Sequence, residues 1–187
     1  MAKASDLSTG SYIKFNGELC LIIEYIHRTP GNLRAFYQAK MRNIRTGKLA
    51  EYRFRPDEEV EEVRVEERNL QYLYKDGNDL VCMDGGTFEQ YYVHENLFGE
   101  ALSFLKEGSE VVVGFDGETP VLARPPKVVE LEVTYTEPGL RGDTATKTLK
   151  PATLETGARI SVPLFVNQGE KIRVNTETGE YLERVKE

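Results

Sequence analysis

Apolar residues occur along this chain in short runs, and turn-forming residues separate the runs. Residues 19–26 are almost entirely aliphatic or aromatic, which predicts a well-buried strand. Residues 35–44 alternate instead, with the period of two that is typical of a strand with one wet face. The two alternating sets are Tyr37, Ala39 and Met41 against Gln38, Lys40 and Arg42. Together the two segments predict a β-hairpin.

The predicted hairpin closes through Thr29-Pro30-Gly31-Asn32, a segment rich in turn-forming residues. Pro30 fixes its own φ and favours the second position of a turn, whereas Gly31 and Asn32 tolerate positive φ at little cost. We therefore expect a narrow tip that is partly stiffened by the proline.

The remaining pattern predicts three segments of similar size. Residues 1–63 alternate short strands with short turns, and such a meander closes most readily as a small barrel. Residues 64–126 predict further hairpins, with apolar residues near helical spacing only over 95–105, where we expect a short helix or two turns. Residues 127–187 repeat that size and pattern, consistent with two copies of a five-stranded Greek-key barrel. The predicted fold class is all-β, with three small barrels in tandem.

Positive charge is concentrated in the hairpin and the strand after it. Residues 28–55 hold eight Lys and Arg against the single acid Glu51, although the whole chain has a net charge of −7. A basic element on an acidic protein is typical of a surface that faces phosphates, and Arg28, Lys40 and Arg42 are the candidate contacts. The alternative is a solvated sheet face whose cations keep it soluble.

Residues able to support catalysis or metal binding are sparse and scattered. The two histidines, His27 and His94, fall in different segments, and no Gly-rich phosphate loop follows a strand. Cys20 and Cys82 each lie in an apolar run, which indicates two buried free thiols rather than a disulfide or a metal site. We predict no enzyme activity, no cofactor and no metal.

No apolar run in the sequence has the length that a bilayer requires. The chain opens on Met-Ala-Lys-Ala-Ser-Asp, without the apolar core of a signal peptide. We therefore expect no membrane association and a location in the cytoplasm.

Several motifs spread over the whole chain point to one family. The longest is the run from Lys150 to Gly169, KPATLETGARISVPLFVNQG; the shorter ones are Thr136-Glu137-Pro138-Gly139, Gly142-Asp143-Thr144, Pro30-Gly31 and Ala35-Phe36. In these positions the sequence resembles bacterial translation elongation factor P. The long motif is specific, because a spaced pattern of that length seldom arises by chance.

The resemblance implies an SH3-like (KOW-like) barrel over 1–63 followed by OB-like barrels over 64–126 and 127–187. It implies a monomer that contacts both ribosomal subunits between the P and E sites and relieves stalling at consecutive prolines. In the family the hairpin tip reaches toward the acceptor end of the P-site tRNA, and a third-domain loop faces the E-site codon region. Here the tip residues are Pro30, Gly31, Asn32, Leu33 and Arg34, and the loop residues are Gly142, Asp143 and Thr144.

One position departs from the family pattern. In many members the residue after Pro-Gly in the hairpin is a lysine or arginine that carries a post-translational extension, and here it is Asn32. Asparagine has neither the amine nor the guanidinium that such extensions need. The nearest cation, Arg34, lies two residues on, which draws the group back by roughly 6–7 Å. Either this chain works unmodified or the modification site has moved.

A general OB-fold RNA-binding protein, which does not act at the peptidyl-transferase centre, is the alternative function. Such a protein stacks bases on aromatic residues of an open barrel face. Tyr91 and Tyr92 are the candidates, although core packing is the commoner role of such a pair.

Overall fold

The computed structural model describes residues 1–139 and 148–186. Within these ranges the chain forms β-strands in three sheets and three short 3₁₀ helices, so the all-β prediction is confirmed. In the described residues no helix is long and apolar enough to cross a membrane.

The first sheet has the strand order β1-β6-β2-β3-β4-β5. Its strands are β1 (Ala2–Lys3), β2 (Tyr12–Phe15), β3 (Glu18–Arg28), β4 (Phe36–Asn43), β5 (Leu49–Phe54) and β6 (Glu59–Val63). The predicted hairpin is β3–β4, and on β4 Ala39 and Met41 are buried, as the alternation predicts. They pack in one core with Ile13 and Ile22.

Strand β3 is longer and less buried than its apolar composition predicts. Only Cys20 and Ile22 are fully buried along it. The pairing with β4 shifts between Ile22 and Glu24, because a β-bulge at Ile23 inserts one extra residue. The bulge reverses which residues face inward, so Tyr25 continues the inner face although it lies an odd number of residues from Ile22.

The second sheet has the order β11-β10-β7-β8-β9. Its strands are β7 (Glu66–Asp76), β8 (Asp79–Asp84), β9 (Gln90–His94), β10 (Glu110–Asp116) and β11 (Thr119–Arg124). The helical spacing over 95–105 corresponds to two short 3₁₀ helices, Glu95–Leu97 and Gly99–Phe104, which are separated by Phe98; Gly99 begins the second with φ +60°. The sequence predicted either a short helix or two turns here, and the structure confirms the two turns.

The third sheet has the order β14-β13-β12-β15-β16. Its strands are β12 (Val128–Thr136), β13 (Leu149–Leu154), β14 (Arg159–Pro163), β15 (Lys171–Asn175) and β16 (Tyr181–Arg184). Alternate residues of these strands form the core, and Phe104 adds its ring to that core from the second 3₁₀ helix. The chain divides into two compact units, residues 1–68 with 113–123 and residues 69–112 with 124–187.

Gly114 on β10 offers a direct test of core packing. A Cβ atom at this position would lie 2.6 Å from Leu122 Cγ and 2.7 Å from Val65 Cγ1, closer than carbon atoms approach. Overpacking of this kind typically costs about 1–3 kcal/mol. We expect Gly114→Ala to lower the free energy of unfolding by about that amount in urea denaturation followed by circular dichroism.

Gly85→Ala is the matched control, because a Cβ there meets no atom within 4 Å and its φ lies outside the left-handed region. It should leave the unfolding midpoint unchanged within error. Equal stability of the two variants would show that the neighbours of Gly114 yield without cost.

Candidate nucleic-acid interface

The hairpin tip is closed by a turn one residue later than the sequence predicts. The Leu33 N–H donates to the Pro30 carbonyl at 2.8 Å, so the turn spans Pro30 to Leu33 and the proline takes its first position, not its second. Gly31 adopts φ +20°, while Asn32 does not use positive φ. At the first position the proline contributes only its carbonyl to the turn, so its missing N–H costs no hydrogen bond there.

Every residue from Gly31 to Arg34 is exposed. Leu33 is 74% exposed, an apolar side chain at the far end of the hairpin. Within the described residues, the Arg34 guanidinium has no carboxylate within ion-pair distance. The tip therefore presents an amide, an aliphatic group and a cation to solvent.

An aromatic stack supports this tip on the inner face of the hairpin. The Tyr37 ring lies between His27 and Tyr25, with centroid distances of 4.7 Å and 5.2 Å and interplanar angles of 21° and 10°. His27 is the direct cross-strand partner of Tyr37. The sequence pattern did not reveal this stack. Positions 25 and 27 share a face by ordinary alternation, but only the bulge at Ile23 places that face on the same side as buried Ile22.

The stack is anchored to the N-terminal residues. The Tyr25 hydroxyl donates to the Ala4 carbonyl at 2.6 Å. Burial, with a smaller contribution from Tyr37, raises the pKa of Tyr25 to about 12. The hydroxyl therefore stays protonated at neutral pH and remains a hydrogen-bond donor.

The three predicted phosphate contacts share the outer face of the hairpin. Lys40 and Arg42 alternate along β4, and Arg28 pairs with Phe36 two positions further along the same face. Lys40 is flanked across the strands by Glu24 on β3 and Glu51 on β5. The outer face of the hairpin therefore carries charges of both signs around Lys40 and is basic toward both of its ends.

Two other cations of the basic segment make contacts within the protein. Arg45 forms an ion pair with Glu18, and its Nε lies 3.1 Å from Glu18 Oε2; hydrogen bonding by this guanidinium lowers the pKa of Glu18. The Arg53 guanidinium lies over the Phe36 ring, 5.1 Å from its centroid. Charge counting along the sequence therefore overstates how many of the eight cations are unpaired.

The third-domain loop residues Gly142, Asp143 and Thr144 lie outside the described residues. The chain leading into that loop is anchored: buried Lys150 donates from Nζ to the Glu137 carbonyl at 2.6 Å. A Cβ on Gly139 would lie 2.8 Å from the Leu164 carbonyl oxygen, so this position requires glycine.

Over the described residues, the histidines and cysteines are divided between the first and second sheets. His94 Nδ1 accepts from the Asn96 N–H at 3.2 Å, and burial raises the pKa of Cys82 to about 11. Cys20 and Cys82 are both buried free thiols, as predicted. Over residues 1–139 and 148–186, no group of three or more His, Cys, Asp or Glu could hold a metal ion.

The tyrosine pair considered for base stacking is divided between two environments. Tyr91 is half-buried and donates to Glu89 Oε2 at 2.8 Å, whereas Tyr92 is 57% exposed. The expectation of core packing is therefore wrong for Tyr92. Neighbouring residues of a strand point to opposite faces, so a pair cannot pack in one core.

Comparison with known proteins gives three matches to family models in chain order. Residues 3–60 match the elongation factor P KOW-like domain, residues 65–123 its OB domain, and residues 129–184 the elongation factor P C-terminal model. With the three sheets, these matches confirm the predicted fold class, an SH3-like barrel followed by two OB-like barrels.

Whole-chain relatives agree with these models. The chain is 53% identical over 188 residues to elongation factor P of Chloroherpeton thalassium and 49% identical over 187 residues to that of Roseiflexus sp., with 100% of each chain covered. A solved translation initiation factor eif-5a family protein from Naegleria fowleri aligns with TM-score 0.52 at 16% identity, over 67% of this chain and 94% of that one, a likeness of fold. The chain belongs to the elongation factor P family.

Proposed function

We propose that this protein binds the ribosome between the P and E sites and stimulates peptide-bond formation at consecutive prolines by positioning the P-site tRNA. Family membership already makes it a translation elongation factor that associates with the ribosome. The observation that supports the finer proposal is the β3–β4 hairpin, whose exposed tip rests on a stacked and anchored stem. A rigid exposed tip suits a protein that orients another catalyst's substrate.

Positioning alone accounts for a large rate effect. Holding reacting groups in the productive geometry removes part of the entropy cost of the reaction, and no residue of the positioning protein has to take a proton or form a bond. Such a role fits a chain whose histidines and thiols are divided, one of each, between the first and second sheets. We propose that the protein itself hydrolyses and transfers nothing, and that it works as a monomer in the cytoplasm.

The tip is proposed to act without the extension that many relatives carry. Asn32 cannot take such an extension, and an unmodified loop can position tRNA only if it is already ordered, since fixing each flexible residue costs about 1–2 kcal/mol. The Leu33–Pro30 hydrogen bond and the Tyr37 stack supply that order. The proposed acceptor-end contacts are Pro30, Gly31, Asn32, Leu33 and Arg34.

Three domains are proposed to share the binding, with boundaries at 1–63, 64–126 and 127–187. Arg28, Lys40 and Arg42 would contact RNA phosphates, and the third domain would lie near the small subunit, with Gly142, Asp143 and Thr144 at the E-site codon region. Phosphate contacts set register and orientation without reading sequence, as a factor acting on many messages requires.

General RNA binding through the second sheet is the other candidate, and exposed Tyr92 favours it. Tyr92 and Tyr74 flank Val81 across three strands, as in a stacking platform. Against this, residues 64–126 hold 12 acidic and 5 basic residues, so that segment repels a phosphate backbone. The ribosomal proposal is better supported.

A reconstituted translation system tests the proposed function directly. The protein is synthesised without modifying enzymes and added to ribosomes translating a reporter with three successive prolines. We expect the unmodified chain to shorten the pause at the prolines and to leave a proline-free control reporter unaffected. The measurement is the time course of full-length product.

Two other outcomes are informative. If only protein purified from its native host shortens the pause, the modification site has moved, and the proposal that the tip acts unmodified is wrong. If neither preparation changes the pause, the proposed function itself is contradicted.

Binding should depend on the hairpin cations more than on net charge. Replacing Lys40 and Arg42 together by Gln should weaken ribosome affinity and reduce the slope of log affinity against log salt by about two, roughly one for each phosphate that the variant no longer neutralises. Equilibrium binding at several salt concentrations measures both quantities.

The matched control removes two exposed cations elsewhere, Arg64→Gln with Lys127→Gln. It should change affinity and slope much less. Equal effects of the two double variants would mean that total charge, not the hairpin face, governs binding.

A further inference from the structure

A row of three side chains crosses the outer face of the third sheet. Tyr135 on β12 pairs with Thr153 on β13, and Thr153 pairs with Arg159 on β14. Directly paired residues point to the same face, and two strand spacings separate the outer members by about 10 Å. The row places an aromatic ring, a hydroxyl and a guanidinium side by side.

A local irregularity aims Tyr135 outward. The pairing of β12 with β13 shifts between Val133 and Tyr135, as a β-bulge does when it re-aims a side chain. Val133 and Thr136 on either side of it remain buried, while Tyr135 is 58% exposed. Its ring therefore contributes little to the core.

The Tyr135 ring is also uncovered, unlike another exposed ring of this domain. The Arg184 guanidinium lies 4.8 Å from the centroid of the Phe165 ring and covers it. In the part of the chain that the structure describes, neither a ring nor a cation packs on Tyr135, and Arg159 has no carboxylate within ion-pair distance. Among residues 1–139 and 148–186, nothing therefore covers the ring or pairs with the guanidinium.

These side chains line one groove of about 200 Å³, whose other walls are Glu137, Pro151 and Ala152. Aromatic rings on OB-type sheets stack nucleobases, and arginine binds phosphate through paired N–H groups. Tyrosine and arginine are also common in protein interfaces, so a protein is the alternative occupant that the crosslinking test distinguishes. The groove therefore combines the groups that one nucleotide requires.

We propose that this Tyr135–Arg159 groove holds one nucleotide of single-stranded RNA, with its base on Tyr135 and its phosphate at Arg159. The inference rests on the proposed function, in which the third domain lies near ribosomal RNA and message. It adds to that function a stacking contact outside the tip and outside the loop at 142–144.

Two substitutions separate the base contact from the phosphate contact. Tyr135→Ala should weaken ribosome binding about 5- to 100-fold without changing the salt slope, because stacking is not ionic. Arg159→Gln should lower the salt slope by about one. Both residues are exposed, and unchanged melting temperatures would confirm that the variants fold.

Tyr135→Phe and Tyr92→Ala are the controls. The first keeps the ring and should bind like wild type; the second removes a tyrosine of similar exposure from the second sheet and should also bind like wild type. The groove proposal would be overturned if Tyr135→Ala bound with wild-type affinity, or if Tyr135→Ala and Tyr92→Ala lost ribosome affinity equally.

Photocrosslinking identifies the occupant. A benzophenone amino acid at position 135 of a ribosome-bound chain should form an adduct with RNA, and an adduct with protein alone would overturn the proposal. These results can be separated from a test of the proposed function. If the wild-type protein relieves stalling at prolines and the variants bind like wild type, only the groove proposal is contradicted. If the wild-type protein fails to relieve stalling, the proposed function is contradicted.

Discussion

The stack of His27, Tyr37 and Tyr25 is the contact on which the rest of the candidate interface depends. An isolated two-stranded hairpin is at best marginally stable in water. Beyond the Tyr37–Phe54 pair, β5 no longer supports β4, so the last cross-strand pair and the tip extend without a third strand. The stack and the Tyr25 hydroxyl bond to Ala4 link this extension to the core. A tip without a covalent extension needs such an anchor, because its own order is what it contributes.

Positive and negative charge are segregated along the chain, and the proposed function depends on this separation. The outer hairpin face carries Arg28, Lys40 and Arg42, whereas residues 64–126 account for 12 of the chain's acids. A basic face attracts RNA at long range, and an acidic segment limits binding in other orientations. Glu24 and Glu51 beside Lys40 refine this arrangement, since they reduce the attraction in the middle of the face and leave it at the ends.

Local sequence signals predicted where the strands lie. Features that depend on contacts between distant residues could not be predicted from them. Turn residues and the alternation at Ala39 and Met41 located the β3–β4 hairpin, because both depend only on near neighbours in sequence. The bulge at Ile23 was not predictable from an unbroken apolar run, and without it neither the burial of β3 nor the Tyr25 contact could be foreseen. Ion pairs such as Arg45 with Glu18 join residues far apart in sequence and likewise escaped charge counting.

A comparison of Tyr37→Leu with Tyr92→Leu tests most directly whether the anchored tip is what acts. Leucine at position 37 keeps an apolar side chain but removes two ring contacts, each worth about 0.5–1.5 kcal/mol. Relief of pausing at three successive prolines and ribosome affinity are measured for both variants. An anchored tip predicts that Tyr37→Leu loses about tenfold in the rate of relief with less than about twofold change in affinity, and that Tyr92→Leu matches wild type. If Tyr37→Leu relieved pausing fully, or lost relief of pausing and ribosome affinity equally, the claim that the anchored tip is what acts would be contradicted.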